Sequence, residues 1–360
     1  FNGLAWRPVA NLETAEDDGF VAIGRVLEWQ GGTIGVGNSA DGSGIWHSTD
    51  PDTWEYVGTI DGIPQGQFPV VAAGPGILAV APSDTGHAGW VSSDLTEWVP
   101  LGELDGLEDL LLSSISYHQG WYYALGSTGA DDRRAAIYRS ADGITWTESR
   151  TLDGSPLSDQ FGEVHDMVAT DKGFIAIGSS VIDGEQLPAM WDSIDGQSWS
   201  PRLTPAAFST HSIRLDLVSI DLGNPNRATL IVDGAEHAVV EDSMLATDAG
   251  IIQVTAVAEN RLRMNVDATP YVLDVGSTGT IQRVPALRHL AAQGERIVIA
   301  GRYDPTSTLA QETPTPPSPV GAVWTSVDSG RTWERSLVSS DDSSARQVGL
   351  IGSNIAVVGQ

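Results

Sequence analysis

Along this chain apolar residues alternate with small or polar ones in short runs, and the runs come in pairs joined by tight turns. Examples are "RVLEWQGGTIGVGNS", "PVVAAGPGILAVAPS", "SISYHQGWYYALGS", "DMVATDKGFIAIGS" and "RHLAAQGERIVIAG". A period of two is that of a half-buried strand, and breaks rich in Gly, Asn and Asp are hairpin turns. The pattern predicts an all-β chain of antiparallel hairpins, and no helix of useful length is evident.

Each pair of runs leads into a second, sharper repeat. Aligned on a serine, the copies read "IWHSTDPDTW" (Ile45 to Trp54), "GWVSSDLTEW" (Gly89 to Trp98), "IYRSADGITW" (Ile137 to Trp146), "MWDSIDGQSW" (Met190 to Trp199) and "VWTSVDSGRTW" (Val323 to Trp333). The shared residues are Ser48, Asp50 and Trp54; Ser92, Asp94 and Trp98; Ser140, Asp142 and Trp146; Ser193, Asp195 and Trp199; and Ser326, Asp328 and Trp333. Residues before the Asp form a strand, the Asp accepts backbone N–H groups of the turn, and the Trp starts the returning strand. All of the 12 tryptophans except Trp29 and Trp121 fall in these units or in the related N-terminal "FNGLAW". The repeated stretch is therefore scaffold. Its period, roughly 40–50 residues, is that of one propeller blade.

The repeat resembles the Asp box, or bacterial neuraminidase repeat, of sialidase-like and sortilin-like propellers. Only Ser326, Asp328, Gly330, Thr332 and Trp333 match that family's pattern in full; the other turns are one residue shorter and two lack the glycine. The resemblance implies a single β-propeller of four-stranded antiparallel blades, strands A to D from the axis outward, over residues 1–360. It is nearly silent about activity, because one fold hosts many functions. Reading residues 215–242 and 251–284 as eight short strands gives eight blades, the alternative being seven with a strand insertion near 234–270. N- and C-terminal strands close the ring in one blade, which removes open sheet edges. Residues 303–319, rich in Pro and Thr, read as a flexible loop.

Hydrophobic residues make up 41% and charged residues 18%, with 40 Gly and 19 Pro, which suits short strands and many turns. The formal net charge of -28 argues against nucleic acid as a partner, because phosphate binding needs Lys and Arg. The absence of cysteine excludes disulfides and thiolate chemistry, and fits export by a bacterium. No apolar run is long enough to cross a membrane as a helix, and no leader or anchor pattern opens the chain. The expectation is a secreted or cell-surface monomer, without membrane insertion.

Candidate chemistry lies on the face carrying the D to A loops. Residues 10–24, 58–69, 100–113 and 151–166 hold thirteen Asp or Glu and no Lys or Arg. The densest group is Asp159, Glu163, His165 and Asp166, with Asp159, Glu163 and Asp166 as an oxygen-rich candidate for Ca²⁺, the only cofactor entertained. The alternative is a solvated acidic surface. The family resemblance adds a catalytic alternative, a sialidase-like glycoside hydrolase at the channel mouth. In it Arg25, Arg288 and Arg346 would clamp a substrate carboxylate, with Asp166 and Asp216 at the matching position in other blades. No Tyr and Glu pair can be assigned for the nucleophile. Trp29, Phe68, Phe161 and Phe208 are the aromatics available to a glycan, while His118 and Trp121 read as turn residues or ligand contacts. The preferred reading is a non-catalytic binding propeller whose acidic face takes a protein partner, a glycan or Ca²⁺. A purely architectural module of an envelope assembly is the third.

Overall fold

The computed structural model describes residues 11–12, 22–39, 42–50, 53–63, 67, 69–129, 133–151, 157, 162–182, 185–202, 208, 210–223, 226–247, 250–258, 260–266, 269–307, 310–311, 320–337, 345–351 and 354–359. Alternating runs became antiparallel strands as their periodicity dictates. The first sheet runs from its inner strand Ala22–Trp29 through Gly32–Ser39 and Gly42–Asp50 to Thr53–Thr59. The second repeats the order with Val70–Ala73, Ile77–Pro82, His87–Ser92 and Val99–Glu103. In the third the strands are Leu110–His118, Trp121–Thr128, Arg134–Ser140 and Thr147–Glu148. The fourth has Gly162–Thr170, Gly173–Ile182, Glu185–Ser193 and Ser198–Arg202. In the fifth, the later part of Thr278–Gln293 is followed by Arg296–Ser307, Val320–Ser326 and Glu334–Leu337. A sixth sheet shows Ala345–Ile351 and Asn354–Gly359.

Inner strands of successive sheets pack on one another, and the sixth packs back on the first. Among the described residues this is a β-propeller of six sheets about an axis. The core lies between sheets: Ile34, Ile45, Val71 and Ile77 join the first to the second, while Ile177, Met190, Leu287 and Trp324 join the fourth to the fifth. Short parallel pairings add a second seam. Asn11–Leu12 lies beside Thr53–Trp54, and Arg150–Thr151, just past the third sheet, lies beside the outer strand of the fourth. The closure expected from residues 1–10 lies outside the described residues.

The four hairpins whose side chains are fully described share one hydrogen-bond scheme. The Asp Oδ1 accepts two consecutive backbone N–H groups: Thr96 and Glu97, Ile144 and Thr145, Gln197 and Ser198, or Arg331 and Thr332. The Ser Oγ accepts a further N–H, and the Trp Nε1 donates to the carbonyl three residues back. These four bonds pair three N–H groups and one carbonyl of each turn, so the repeated residues are spent on the turn itself. Gly143, Gly196 and Gly330 have φ of 78°, 67° and 82°, and Leu95 takes the same place at 71°. A buried Leu95, 5% exposed, offsets the strain of that backbone by packing in the core. In the first hairpin Ser48 is buried and Trp54 half-buried, while the Asp50 side chain lies outside the described residues.

The stretch expected to supply two more blades does something else. His211–Asp221, Arg227–Val232 and Ala235–Val239 extend the fifth sheet edge to edge, because His211–Asp221 pairs with the start of Thr278–Gln293. Met244–Thr247, Gly250–Ala258, Arg261–Val266 and Thr269–Asp274 form a separate sheet. A core of its own, including Ile213, Leu230, Ile252, Leu262, Tyr271 and Ile281, unites the two. Eight blades would have required these strands to face the axis. Periodicity reports strands, and says nothing about which sheet edge they join.

The Pro/Thr-rich loop is also shorter than expected. Residues 303–307 finish the strand Arg296–Ser307, with Tyr303 1% exposed, and Ala310–Gln311 pairs with Thr269–Asp274. Residues 312–319 lie outside the described residues. Phe208, a candidate glycan contact, is instead fully buried against Trp324 and Trp333. Among the described residues no helix is long and apolar enough to cross a membrane.

Candidate functional site

The inner strands share an irregularity that builds the site. Their registers shift between Ile23 and Arg25, Leu112 and Ser114, Val164 and Asp166, Leu287 and His289, and Ala345 and Gln347. One residue in each strand, Gly24, Ser113, His165, Arg288 and Arg346, is thus an unpaired bulge. A bulge re-aims the residue that follows it. The side chains of Arg25, Ser114, Asp166 and His289 then meet across the axis.

Their bonds form a single chain. Arg25 Nη2 donates to Ser114 Oγ, and that hydroxyl donates to Asp166 Oδ1 at 3.3 Å. Asp166 Oδ2 accepts the Leu290 backbone N–H at 2.9 Å and lies 3.2 Å from His289 Nε2. His289 Nδ1 lies 3.3 Å from the Val348 backbone nitrogen, which donates to it. Because Nδ1 accepts, the ring proton sits on Nε2 and points at Asp166. First, third, fourth, fifth and sixth sheets are tied together by these contacts, and only the short, apolar inner strand of the second contributes none. Burial pushes His289 below its usual range and outweighs the opposing Asp166 charge, so the imidazole is neutral near pH 7. Burial also lowers Arg25, against the same Asp166 charge.

Around this hub lies a channel cavity of about 270 Å³. Its walls include Val71, Ala73, Ile115 and Val168, with Ser116 and His118 among the polar residues. His118 is not a satisfied turn residue: its Nε2 is buried without a partner among the described residues, beside Tyr123 and Phe174. Burial lowers its pKa despite Asp166. Trp121 is covered instead by the Arg139 guanidinium, 4.5 Å from the ring. Trp29 is half-buried against the core between the first two sheets, and Phe68 and Phe161 lie outside the described residues.

A second cluster sits nearer the start of the inner strands. Glu163 accepts from Ser113 and lies 3.6 Å from His165 Nδ1, with the Arg288 charge nearby. Burial would raise Glu163, but those bonds and charges win and hold it at about 2. Arg288 itself is exposed, one residue off the axial position that His289 occupies. Of the five residues in the catalytic alternative, only Arg25 and Asp166 come together. Asp216 belongs to the inserted sheets, where it bonds Thr278 and Arg214, and the Arg346 side chain lies outside the described residues. Asp159 also lies outside them. Asp166, counted among the Ca²⁺ candidates, accepts a hydrogen bond at each oxygen.

No protein-family model matches the chain, and no curated protein does. Among solved structures it is similar to YCF48 bound to a D1 peptide, at 14% identity over 97% of this chain and 94% of that one, with a TM-score of 0.43. It is similar as well to a GH32 β-fructofuranosidase of Bombyx mori, at 12% identity over 90% and 89%, with a TM-score of 0.39. The Bacteroides ovatus xyloglucan PUL GH43B aligns at 10% identity over 90% of each chain, with a TM-score of 0.38.

Proposed function

We propose that this chain is a non-catalytic, extracytoplasmic binding propeller of the Asp-box type, which takes its ligand at the axial channel and the acidic face around its mouth. The observation that carries the reading is the state of the axial groups. Asp166 accepts from Ser114 and Leu290 and faces His289, whose other nitrogen accepts from Val348, so both groups are engaged in bonds that join one sheet to the next. These residues fasten the ring, and the cavity beside them keeps polar atoms turned inward. The scheme shared by four hairpins supports the Asp-box assignment. An eight-bladed count draws no support from the way residues 211–281 pair, whereas a six-sheet ring with an inserted two-sheet unit does.

A second reading, sialidase-like hydrolysis, is favoured by one feature. Glu163 is held ionised beside His165 and Arg288 near the mouth. The test is a thermal-shift and turnover screen against sialosides and neutral glycans, with and without Ca²⁺. Stabilisation without product is the expected result, since a ligand that binds only the folded state raises its stability. Released sugar that disappears in Arg288→Ala and Glu163→Gln would replace the binding reading with the hydrolase.

A further inference from the structure

We propose that the axial cavity is a site for a small monovalent anion, of the halide or formate class, whose binding is linked to closure of the ring. The inference rests on the channel being the ligand site and names the chemistry it selects.

The polar atoms facing the cavity are unevenly matched. Arg25 is partly exposed along the channel, but its Nη1 is buried and finds no acceptor among the described residues. Ser116 Oγ and His118 Nε2 are buried and unpartnered in the same lining. A guanidinium nitrogen can only donate and a hydroxyl can donate, whereas the neutral His118 ring spends its one N–H on the Met167 backbone and turns an Nε2 lone pair to the cavity. Against these donors the described lining offers two carboxylates: Asp166, which already accepts from Ser114 and Leu290 and faces His289 Nε2, and Glu28, which is exposed. The surplus is therefore of donors.

An acceptor-rich guest answers that surplus, and its charge follows from the neighbours. A cation would sit against Arg25, beside an Asp166 that already accepts hydrogen bonds at both oxygens. Among the described residues of the lining Arg25 is the one full positive charge and Asp166 already offsets part of it, while burial keeps His118 and His289 neutral near pH 7. A dianion would bring uncompensated charge among Val71, Ala73, Ile115, Val168 and Leu290, which is costly. One negative charge suits the site, and a cavity of about 270 Å³ accepts a small ion with its remaining water. Arg25 belongs to the first sheet and Ser116 to the third, so a bound anion bridges strands that only the closed ring brings together.

The experiment uses the purified chain at pH 7.5 and constant ionic strength, with sodium gluconate replaced stepwise by chloride or by formate. Expected are a melting temperature that rises with the logarithm of chloride or formate, and a ³⁵Cl NMR line broadening that formate displaces. Arg25→Met should abolish both, Ser116→Ala should weaken apparent affinity, roughly tenfold to a hundredfold, as expected for losing one donor to a charged group, and His118→Phe, which removes no N–H from the lining, should leave it largely unchanged. The two milder variants decide the matter if Arg25→Met does not fold. Equal melting temperatures in gluconate, chloride and formate, with no broadening beyond that of the variants, would overturn the proposal. Acetate and acetamide separate it from the broader reading: equal binding of both would keep the channel as a ligand site and reject anion selectivity.

Discussion

Replacing Asp166 with Asn tests whether the axial chain of bonds fastens the ring. The change keeps volume but removes the charge that faces the half-buried Arg25 guanidinium. Asp166 is 4% exposed, and through Ser114 it is the anion closest in the network to Arg25. Breaking a buried pair from one side costs about 3–5 kcal/mol, because the remaining charge stays buried without compensation. Asn adds a second difficulty. Its single carbonyl oxygen can serve Leu290 N–H and His289 Nε2–H, but its amide then faces a Ser114 hydroxyl that already accepts from Arg25. The lost acceptor falls within the same range, so the expected total for Asp166→Asn is about 4 kcal/mol.

The inserted sheets complicate any global unfolding measurement, since a unit with its own core can melt separately. Tryptophan fluorescence avoids this, because none of the 12 tryptophans lies between residues 211 and 281. Urea titration read by fluorescence therefore reports the ring. The companion variant is Arg25→Met, which fills the space of the aliphatic stem without the charge. In Asp166→Asn with Arg25→Met no orphan charge remains, so the double variant should recover about 2–3 kcal/mol relative to the sum of the singles. A loss below about 1 kcal/mol for Asp166→Asn, or strict additivity in the double variant, would show that the axial charges are independently solvated and that the chain of bonds holds nothing.

Gly178→Ala should destabilise the fourth sheet by about 3 kcal/mol or more in the same titration, because a Cβ there would lie 1.9 Å from the Glu163 carbonyl oxygen on the bulged backbone. Wild-type stability in that variant would mean the bulge can move. Acidification should weaken the ring in two stages. Burial lowers His118 and His289, so the unfolded chain binds more protons and stability falls once pH drops below about 6.5. Glu163, at about 2 when folded, and the turn carboxylates Asp142, Asp195 and Asp328, lowered mainly by backbone N–H bonds, add a further loss below about 4. A urea midpoint that stays flat from pH 8 to 5.5 would contradict the neutral, buried histidines.

What the chain discloses in advance follows from which interactions are local. The hairpins were legible because the Asp, the Ser and the Trp all bond within four residues of themselves. The inserted unit was not, because "LDLVSIDL" has the same alternation as a blade strand and only its pairing with residues 278–283 places it elsewhere. Of the site, Arg25 and Asp166 were visible as polar residues near the starts of inner strands. His289 and Ser114 carry no such mark, and the sequence points to Arg288 in place of its axial neighbour.

The signal that would have found them lies in the breaks in alternation. "IGRV", "LSSI", "VHDM", "LRHL" and "ARQV" each put two non-apolar residues between apolar ones, which a regular strand buried on both faces does not tolerate. Each break lies at one constant spacing from a glycine of the next strand, pairing Ile23 with Gly37, Leu112 with Gly126, Val164 with Gly178, Leu287 with Gly301 and Ala345 with Gly359. At Gly126, Gly178 and Gly301 the crowding atom is a backbone carbonyl of the inner strand, 1.9–2.2 Å from where a Cβ would stand. The second sheet has a shorter inner strand, shows no such bulge, and places Ala81 at the equivalent point. Glycine is thus required where the bulge presses and unnecessary where it is missing. The same local rule sets the fold and the chemistry: a bulge with glycine behind it turns Arg25, Ser114, Asp166 and His289, one from each of four sheets, toward the axis. A scaffold repeat thereby yields an axial site whose members never share a sequence motif.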